Sequence, residues 1–268
     1  MRDLMHMSEV IETEALRSLF ENCSPKAAAA LGLKIVELDD VTLFAAQNDP
    51  SIVLNRAIGL GTHQPVTAEA IAEIAETFKF LGVDKYFLHL HMNDVPTAAQ
   101  SALARSRLVQ ARGWMKFHRP PTPVHSATTD LKVRRIGPQH AVAFGRIVAE
   151  AFDLTEAAVP ALAGLVDDPH WYLYVSFDGD EPAGAGGLYV RDGVGWLDWG
   201  ATRPEFRRRG SQSAIMTERL SQAEALGCDH IFTATGEAVE GDPQHSYSNI
   251  LKRGFSELKL RENFKPGG

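Results

Sequence analysis

The residues from Gly195 to Gly227 constrain the fold more than any other stretch of this chain. Trp196 to Thr202 is an aromatic, proline-free run that predicts a strand, and Pro204 ends it. A basic turn follows, Arg207-Arg208-Arg209, closed by Gly210. Beyond it Met216, Leu220, Ala223 and Leu226 recur at steps of four, three and three. That is helical spacing, and Gly227 supplies a stop. Strand, tight turn and helix in this order predict a mixed α/β layer.

The turn carries the chemistry. A helix start exposes unpaired N–H groups at the positive end of the helix dipole, so an anion is welcome there. Gly210 would let the backbone approach an anion without a Cβ in the way. Arg207, Arg208 and Arg209 add charge, and Ser211 and Ser213 add hydroxyl donors. These residues describe a phosphate or pyrophosphate cradle. They equally describe a solvated basic turn. The turn alone does not separate the two.

The run Arg207-Arg208-Arg209-Gly210-Ser211-Gln212 resembles the acetyl-CoA-binding motif of the GNAT superfamily of N-acetyltransferases, Gln/Arg-x-x-Gly-x-Gly/Ala after the fourth strand. Gln212 departs from it, standing where a small residue is usual. The order of elements is similar too. A strand over 229–237 is followed by a helix over 246–255 with a Lys252-Arg253-Gly254-Phe255 ending, and then by a closing strand. The resemblance covers about residues 130–265. It implies pyrophosphate binding by backbone N–H groups around Arg209, Gly210, Ser211, Gln212 and Ser213, with charge from Arg207 and Arg208. It also implies that the strand containing Trp199, Ala201 and Thr202 pairs with the pantetheine arm, and that Asn249 and Ser246 contact it.

The whole chain sets the outer bounds. Its 268 residues are 44% hydrophobic and 23% charged, which is globular and long enough for two domains. A net charge of −7, with no second basic run, argues against nucleic acid and anionic membrane as partners. No apolar run is long enough to span a bilayer, and the acidic, polar start is not a secretory signal. Cys23 and Cys228 match no metal spacing. A cytoplasmic protein with reduced thiols is expected.

The first half predicts a similar order of elements. Helices are expected over 8–22, with Ser8 as N-cap and Glu9 and Glu12 in its first turn, and over 25–32. A hairpin turns at Asp39-Asp40, and a strand is expected over 51–61. A helix over 68–82, a strand over 84–91, a helix near 98–112 and a closing strand follow. Leu81-Gly82-Val83-Asp84 overlays Leu226-Gly227-Cys228-Asp229 at an offset of 145, and Arg112-Gly113-Trp114 overlays Arg253-Gly254-Phe255 at 141. Two junctions in matching order indicate an internal repeat. The expectation is α/β (α+β): two tandem acetyltransferase-like domains, each a mixed, mostly antiparallel sheet flanked by helices. They would occupy residues 1–118 and 130–268, joined by a proline-rich linker over 119–129. At offset 145 the cradle corresponds to Thr62 through Thr67, where Pro65 replaces Gly210 and all three arginines are gone. The first domain is therefore expected to be degenerate and to shape the acceptor site or stabilise its partner. His89 and His91 share a strand face but lack a third ligand, so no metal is expected. The loop acids Glu237, Glu240 and Asp242, with His245, are too irregularly spaced for one.

For direct transfer by resemblance, a base and an acid are needed near the central strand ends. Glu237, which closes its strand, is the first candidate base. Asp198, in mid-strand, is the second. The family's usual tyrosine falls at Ile250, so Tyr247, one turn earlier, is the candidate acid. The expected function is an N-acetyltransferase using acetyl-CoA as co-substrate on a small-molecule or peptide amine. The alternative is a non-catalytic acyl-CoA-binding sensor or structural module. A tandem enzyme of thiol biosynthesis differs from the first only in its acceptor. The sequence sets neither the acceptor nor the oligomeric state.

Overall fold

The structure is a computed structural model describing residues 2–92, 95–241 and 244–267. The chain opens with α1 (Arg2–Asn22), α2 (Pro25–Leu31), the hairpin β1 (Leu33–Leu38) and β2 (Val41–Ala46), and a short β3 (Arg56–Ile58). Then come α3 (Ala68–Phe80), β4 (Phe87–Leu90), α4 (Thr97–Arg105) and β5 (Leu108–Arg119). The second half starts with β6 (Lys132–Arg135), α5 (Pro138–Ala151) and α6 (Ala158–Gly164). It continues with the hairpin β7 (Trp171–Asp178) and β8 (Glu181–Arg191), β9 (Val194–Thr202), α7 (Ser211–Ala225), β10 (His230–Gly236), α8 (His245–Lys252) and β11 (Ser256–Pro266). No described helix is long and apolar enough to cross a membrane.

Local signals fix most of these boundaries. Ser24 Oγ accepts the Ala27 N–H and Pro25 opens α2, while Gly32, at φ +64°, closes it. Thr67 Oγ1 accepts the Ala70 N–H and starts α3. Two boundaries differ from the sequence expectation. Helix α1 begins at Arg2, so Ser8 is not a cap but a fully buried residue in the helix. Leu4 and Met7 pack on the core and extend the helix backwards. Helix α4 stops at Arg105 because Arg107 adopts φ +55° and Leu108 already pairs with Pro266. Arg112-Gly113-Trp114 therefore lies inside β5 and is no helix-to-strand junction. Of residues 51–61, only Arg56–Ile58 is strand.

The two expected sheets are one. Among the described residues, eleven strands run in the order β1-β2-β3-β4-β11-β5-β10-β9-β8-β7-β6. Each half places its last strand against the other half: β11 pairs with β4, and β5 with β10. Only β3 with β4 and β9 with β10 are parallel, and a helix, α3 or α7, links each pair. The registers correspond as well. Asn263 faces His89 as Lys116 faces Ala234, and Asn263 lies 147 residues after Lys116 while Ala234 lies 145 after His89. Arg107 and Gly254, both at positive φ, are also 147 apart.

The cores follow the same exchange. On one face α1, α2, α5 and α6 cover the sheet with a continuous core from both halves, including Leu16, Phe44, Phe144 and Trp196. On the other face α3 and α4 cover the first half, and α7 and α8 the second. Phe264 of β11 is buried in the first of these cores, and Phe117 of β5 in the second. The segment 119–129 is laid onto the second half: Arg119 donates to the carbonyls of Arg253 and Thr122, and Arg253 to that of His125.

A buried ionic cluster pins α1 to the crossing strands. Glu12 accepts from Arg56 Nη1 (2.7 Å), from both terminal nitrogens of Arg261 (2.7 and 3.0 Å) and from Lys116 Nζ. Glu9, one turn earlier, accepts from Arg261 at 3.0 Å. Burial pushes both carboxyls up, but Arg261 and Lys116 outweigh it and hold them well below the usual carboxylate range.

Four outcomes are expected. Residues 1–118 expressed alone will not give a cooperative thermal transition, because β5 and β4 lose their partners β10 and β11. Phe117→Ala will cost about 3–5 kcal/mol in a urea titration. Glu12→Gln will cost about 3–5 kcal/mol, because it leaves buried cations unpaired. Carboxyls depressed in the folded state contribute stability above the unfolded value of about 4.3, and it is lost as pH falls below that. Wild-type stability should therefore drop between about pH 5 and pH 2, and Glu12→Gln should flatten that drop.

Candidate active site

Strands β9 and β10 pair only from Val194 to Trp196 and then part. Thr233 Oγ1 makes a last stitch to the Leu197 carbonyl at 2.9 Å. On its other side β9 carries one extra residue: Ala201 faces Ala185, but Asp198 faces Gly187. Trp199 absorbs this bulge at φ +55°. The parting of the strands opens a cavity of about 1100 Å³. It runs from the start of α7 to a wall built by the first half.

At the α7 end, Gly210 takes φ +83° and caps the helix without a side chain, leaving the first-turn N–H groups for a ligand. Arg207 and Arg208 line this mouth and are exposed. The sequence reading of Gly210 needs a correction. A Cβ there would lie 2.4 Å from the Thr128 carbonyl oxygen, so glycine is required by the segment behind the turn. Arg209 does not line the cavity. It is ion-paired to Asp130 and Asp178, and these hydrogen bonds raise its pKa while lowering theirs. The Ser211 hydroxyl points into the sheet, 2.8 Å from Ser176 Oγ. Gln212 and Asn249 line the cavity but bond to each other at 2.8 Å, and Gln212 also donates to Ser246 at 3.2 Å. The large side chain at the small-residue position thus ties α8 to α7. Ser213, Trp199, Ala201 and Thr202 also line the cavity.

The corresponding turn in the first half is closed. Thr67 spends its hydroxyl on the α3 first turn, Val66 is buried, and Pro65 has no N–H.

The candidate catalytic groups fall in different places. Asp198 lines the cavity. Burial raises its pKa; Arg56 and hydrogen bonds from Trp196 Nε1 (3.0 Å) and the Trp199 N–H (2.8 Å) only partly offset this. Glu237 lies outside the cavity lining. Its carboxylate accepts the Gly113 N–H at 2.7 Å and its own N–H reaches the Gly113 carbonyl, so it extends the β10–β5 ladder. Tyr247 lines the cavity, but its hydroxyl donates to Glu257. Burial and that bond raise its pKa, so the proton is held.

The far wall was not foreseen from the sequence. Glu12, Arg56, Arg112 and Trp114 come from the first half, and Phe152 from the end of α5. The Arg56 guanidinium lies 5.3 Å from the centre of the Trp114 ring. Arg219 of α7 is a second omission. It had a visible signal, a charge three residues from Met216 and four from Ala223 on the apolar stripe. Asp242 lies outside the described residues.

Comparison with known proteins agrees with this geometry. Residues 144–246 match the sequence model of the Acetyltransferase (GNAT) family, so the second half carries a GNAT acetyltransferase domain. A GCN5-related N-acetyltransferase from Kribbella flavida is similar over 98% of this chain and 96% of its own, at 14% identity and a TM-score of 0.65. One from Sphaerobacter thermophilus covers 88% and 77%, at 14% identity and 0.61. A putative acetyltransferase of the GNAT family from Novosphingobium aromaticivorans covers 91% and 97%, at 12% identity and 0.56. These likenesses concern the fold, and they span both halves. No curated protein matches the sequence. Family and fold together support acyl transfer.

If Arg207 and Arg208 serve an anion and Arg209 the fold, their substitutions will separate. Arg207→Ala combined with Arg208→Ala should weaken acetyl-CoA binding about tenfold (~1.4 kcal/mol), more at low salt. Arg209→Ala should change that affinity by less than about twofold, because its charge is already paired. Calorimetric titration at two ionic strengths checks both.

Proposed function

We propose that the protein is an N-acetyltransferase that moves an acetyl group from acetyl-CoA to an amine of a small molecule or peptide. The observation that carries this reading is the uncapped α7 start opening into a cavity that is also lined by the Asp198 carboxylate. The chain is read as two tandem acetyltransferase-like halves. The second holds the cofactor. The first has a closed turn at 62–67 and serves instead as the acceptor wall, through Glu12, Arg56, Arg112 and Trp114.

Bound acetyl-CoA supplies a thioester carbonyl that an amine attacks with loss of the thiol. The α7 first-turn N–H groups and Arg207 and Arg208 would hold the pyrophosphate. The backbone from Trp199 to Thr202 would steady the arm. Asp198 is the base: it lies in the cavity, and burial raises its pKa above the ordinary carboxylate value, which makes it a better proton acceptor. Glu237, bonded to Gly113 outside the cavity, serves the sheet.

One observation favours the non-catalytic acyl-CoA-binding alternative. Tyr247, the only tyrosine lining the cavity among the described residues, has its proton committed to Glu257. Turnover with any amine of a panel decides against that alternative.

Titration with acetyl-CoA should give one site per chain. Two sites would contradict the closed turn at 62–67, and none would remove the cofactor assignment. Asp198→Asn should lower kcat by about 10²–10⁴-fold while leaving acetyl-CoA affinity within about threefold. Unchanged kcat would reject Asp198 as the base.

A further inference from the structure

Two glycines of β8, Gly184 and Gly186, are not accounted for by the turn or by the cavity mouth. They make room for α7. A Cβ on Gly184 would lie 2.3 Å from Ser211 Oγ, and one on Gly186 would lie 2.6 Å from Ile215 and 3.0 Å from Arg219 Cζ. The helix therefore rests directly on the strand backbone, and Arg219 reaches through to the place where β8 and β9 fall out of register.

Arg219 is only 3% exposed, and no carboxylate among the described residues makes a contact ion pair with it; Asp198 acts on it only from beyond that distance. Its Nη1 donates to the Gly187 carbonyl and to the Asp198 carbonyl, both at 3.0 Å. Those are the facing residues at one end of the bulge. Nε has no partner, and Nη2 lies 3.8 Å from where a Gly200 Cβ would be. Burial lowers its pKa to about 10, so it remains charged at neutral pH. The side chain lines the cavity beside Asp198 and Gly200.

Burying a guanidinium without a contacting counter-ion is costly unless something compensates it. Two carbonyl oxygens compensate in part. The charge left over sits at the bulge, on the carbonyl of the proposed base, in a low-dielectric wall where it acts strongly. Acyl transfer builds negative charge on the acyl oxygen, and a preorganised positive charge favours that state.

The geometry points to Arg219 as a positioning residue that holds the β9 bulge in register and keeps a positive charge without a contact ion pair behind it for the developing acyl oxyanion. This rests on the acyltransferase reading above.

The test combines infrared spectroscopy of carbonyl-13C-labelled acetyl-CoA with kinetics, on the full chain. Binding to wild type should shift the thioester carbonyl stretch to lower frequency. Arg219→Met should abolish that shift and lower kcat about 10²-fold, with acetyl-CoA affinity within about threefold. Arg219→Lys, which keeps the charge but spans the two carbonyls poorly, should restore part of both. A side chain that only packs would give the opposite: Met as good as Lys, and a stretch unmoved by either. That result, or an unshifted stretch in wild type, overturns the assignment while leaving the acyltransferase reading intact. Should neither variant fold, the wild-type spectrum decides. Absence of acetyl-CoA binding to wild type would overturn both.

Discussion

The antiparallel pairing of β5 with β11 is the contact on which the rest of the structure depends. It runs the length of both strands, from Leu108 opposite Pro266 to His118 opposite Ser256, with two bulges. These strands come from opposite halves of the chain, so the pairing makes one sheet out of two. Phe117 and Phe264 lock it by filling the helical layer of the opposite half. Glu9 and Glu12 lock it from the other face by gathering Lys116, Arg261 and Arg56. Each of these charges is buried, so none is tolerable without the others.

This exchange also places the site. Lys116 and Trp114, two residues apart, share one face of β5, and Lys116 Nζ lies 4.7 Å from the centre of the Trp196 ring of β9. The strand that the first half contributes therefore reaches the edge of the gap between β9 and β10. Arg56 and Glu12 follow because they belong to the same ionic cluster. A half that has closed its own turn with Thr67 and Pro65 still takes part, by furnishing a wall. The two halves differ in this: the α7 start opens into the cavity, while the first half contributes lining side chains to it.

Within the second half, small residues do most of the positioning. Gly210 lets the turn pass over Thr128, and Gly184 and Gly186 let α7 sit on β8. Arg219 then comes close enough to reach Asp198 across the bulge. A side chain at any of these three glycines would move α7 or its turn against the strand that carries Asp198. The geometry of the cavity is thus set by backbone packing as much as by the polar groups lining it.

The sequence by itself determined the local elements and the open helix start. Apolar spacing marked α7, Thr67 and Ser24 marked caps, and the prolines of 119–129 marked the connection. Those signals act over a few residues, so they survive without tertiary context. The offset of 145 was legible because α3 and α7 end in similar turns. The second junction was misread, because Arg107 rather than a glycine takes the left-handed turn and the conspicuous Gly113 lies in mid-strand. Only the tertiary structure decided which strands pair. Glu12 and Arg56 are 44 residues apart, and Glu12 and Arg261 are 249 apart. Nothing in either neighbourhood names the partner. The same holds for Arg209 and Glu237: their charges fitted a ligand site, but long-range pairing with Asp130, Asp178 and Gly113 assigned them to the fold. Function at this site is therefore written locally in the helix start, and non-locally in the wall that faces it.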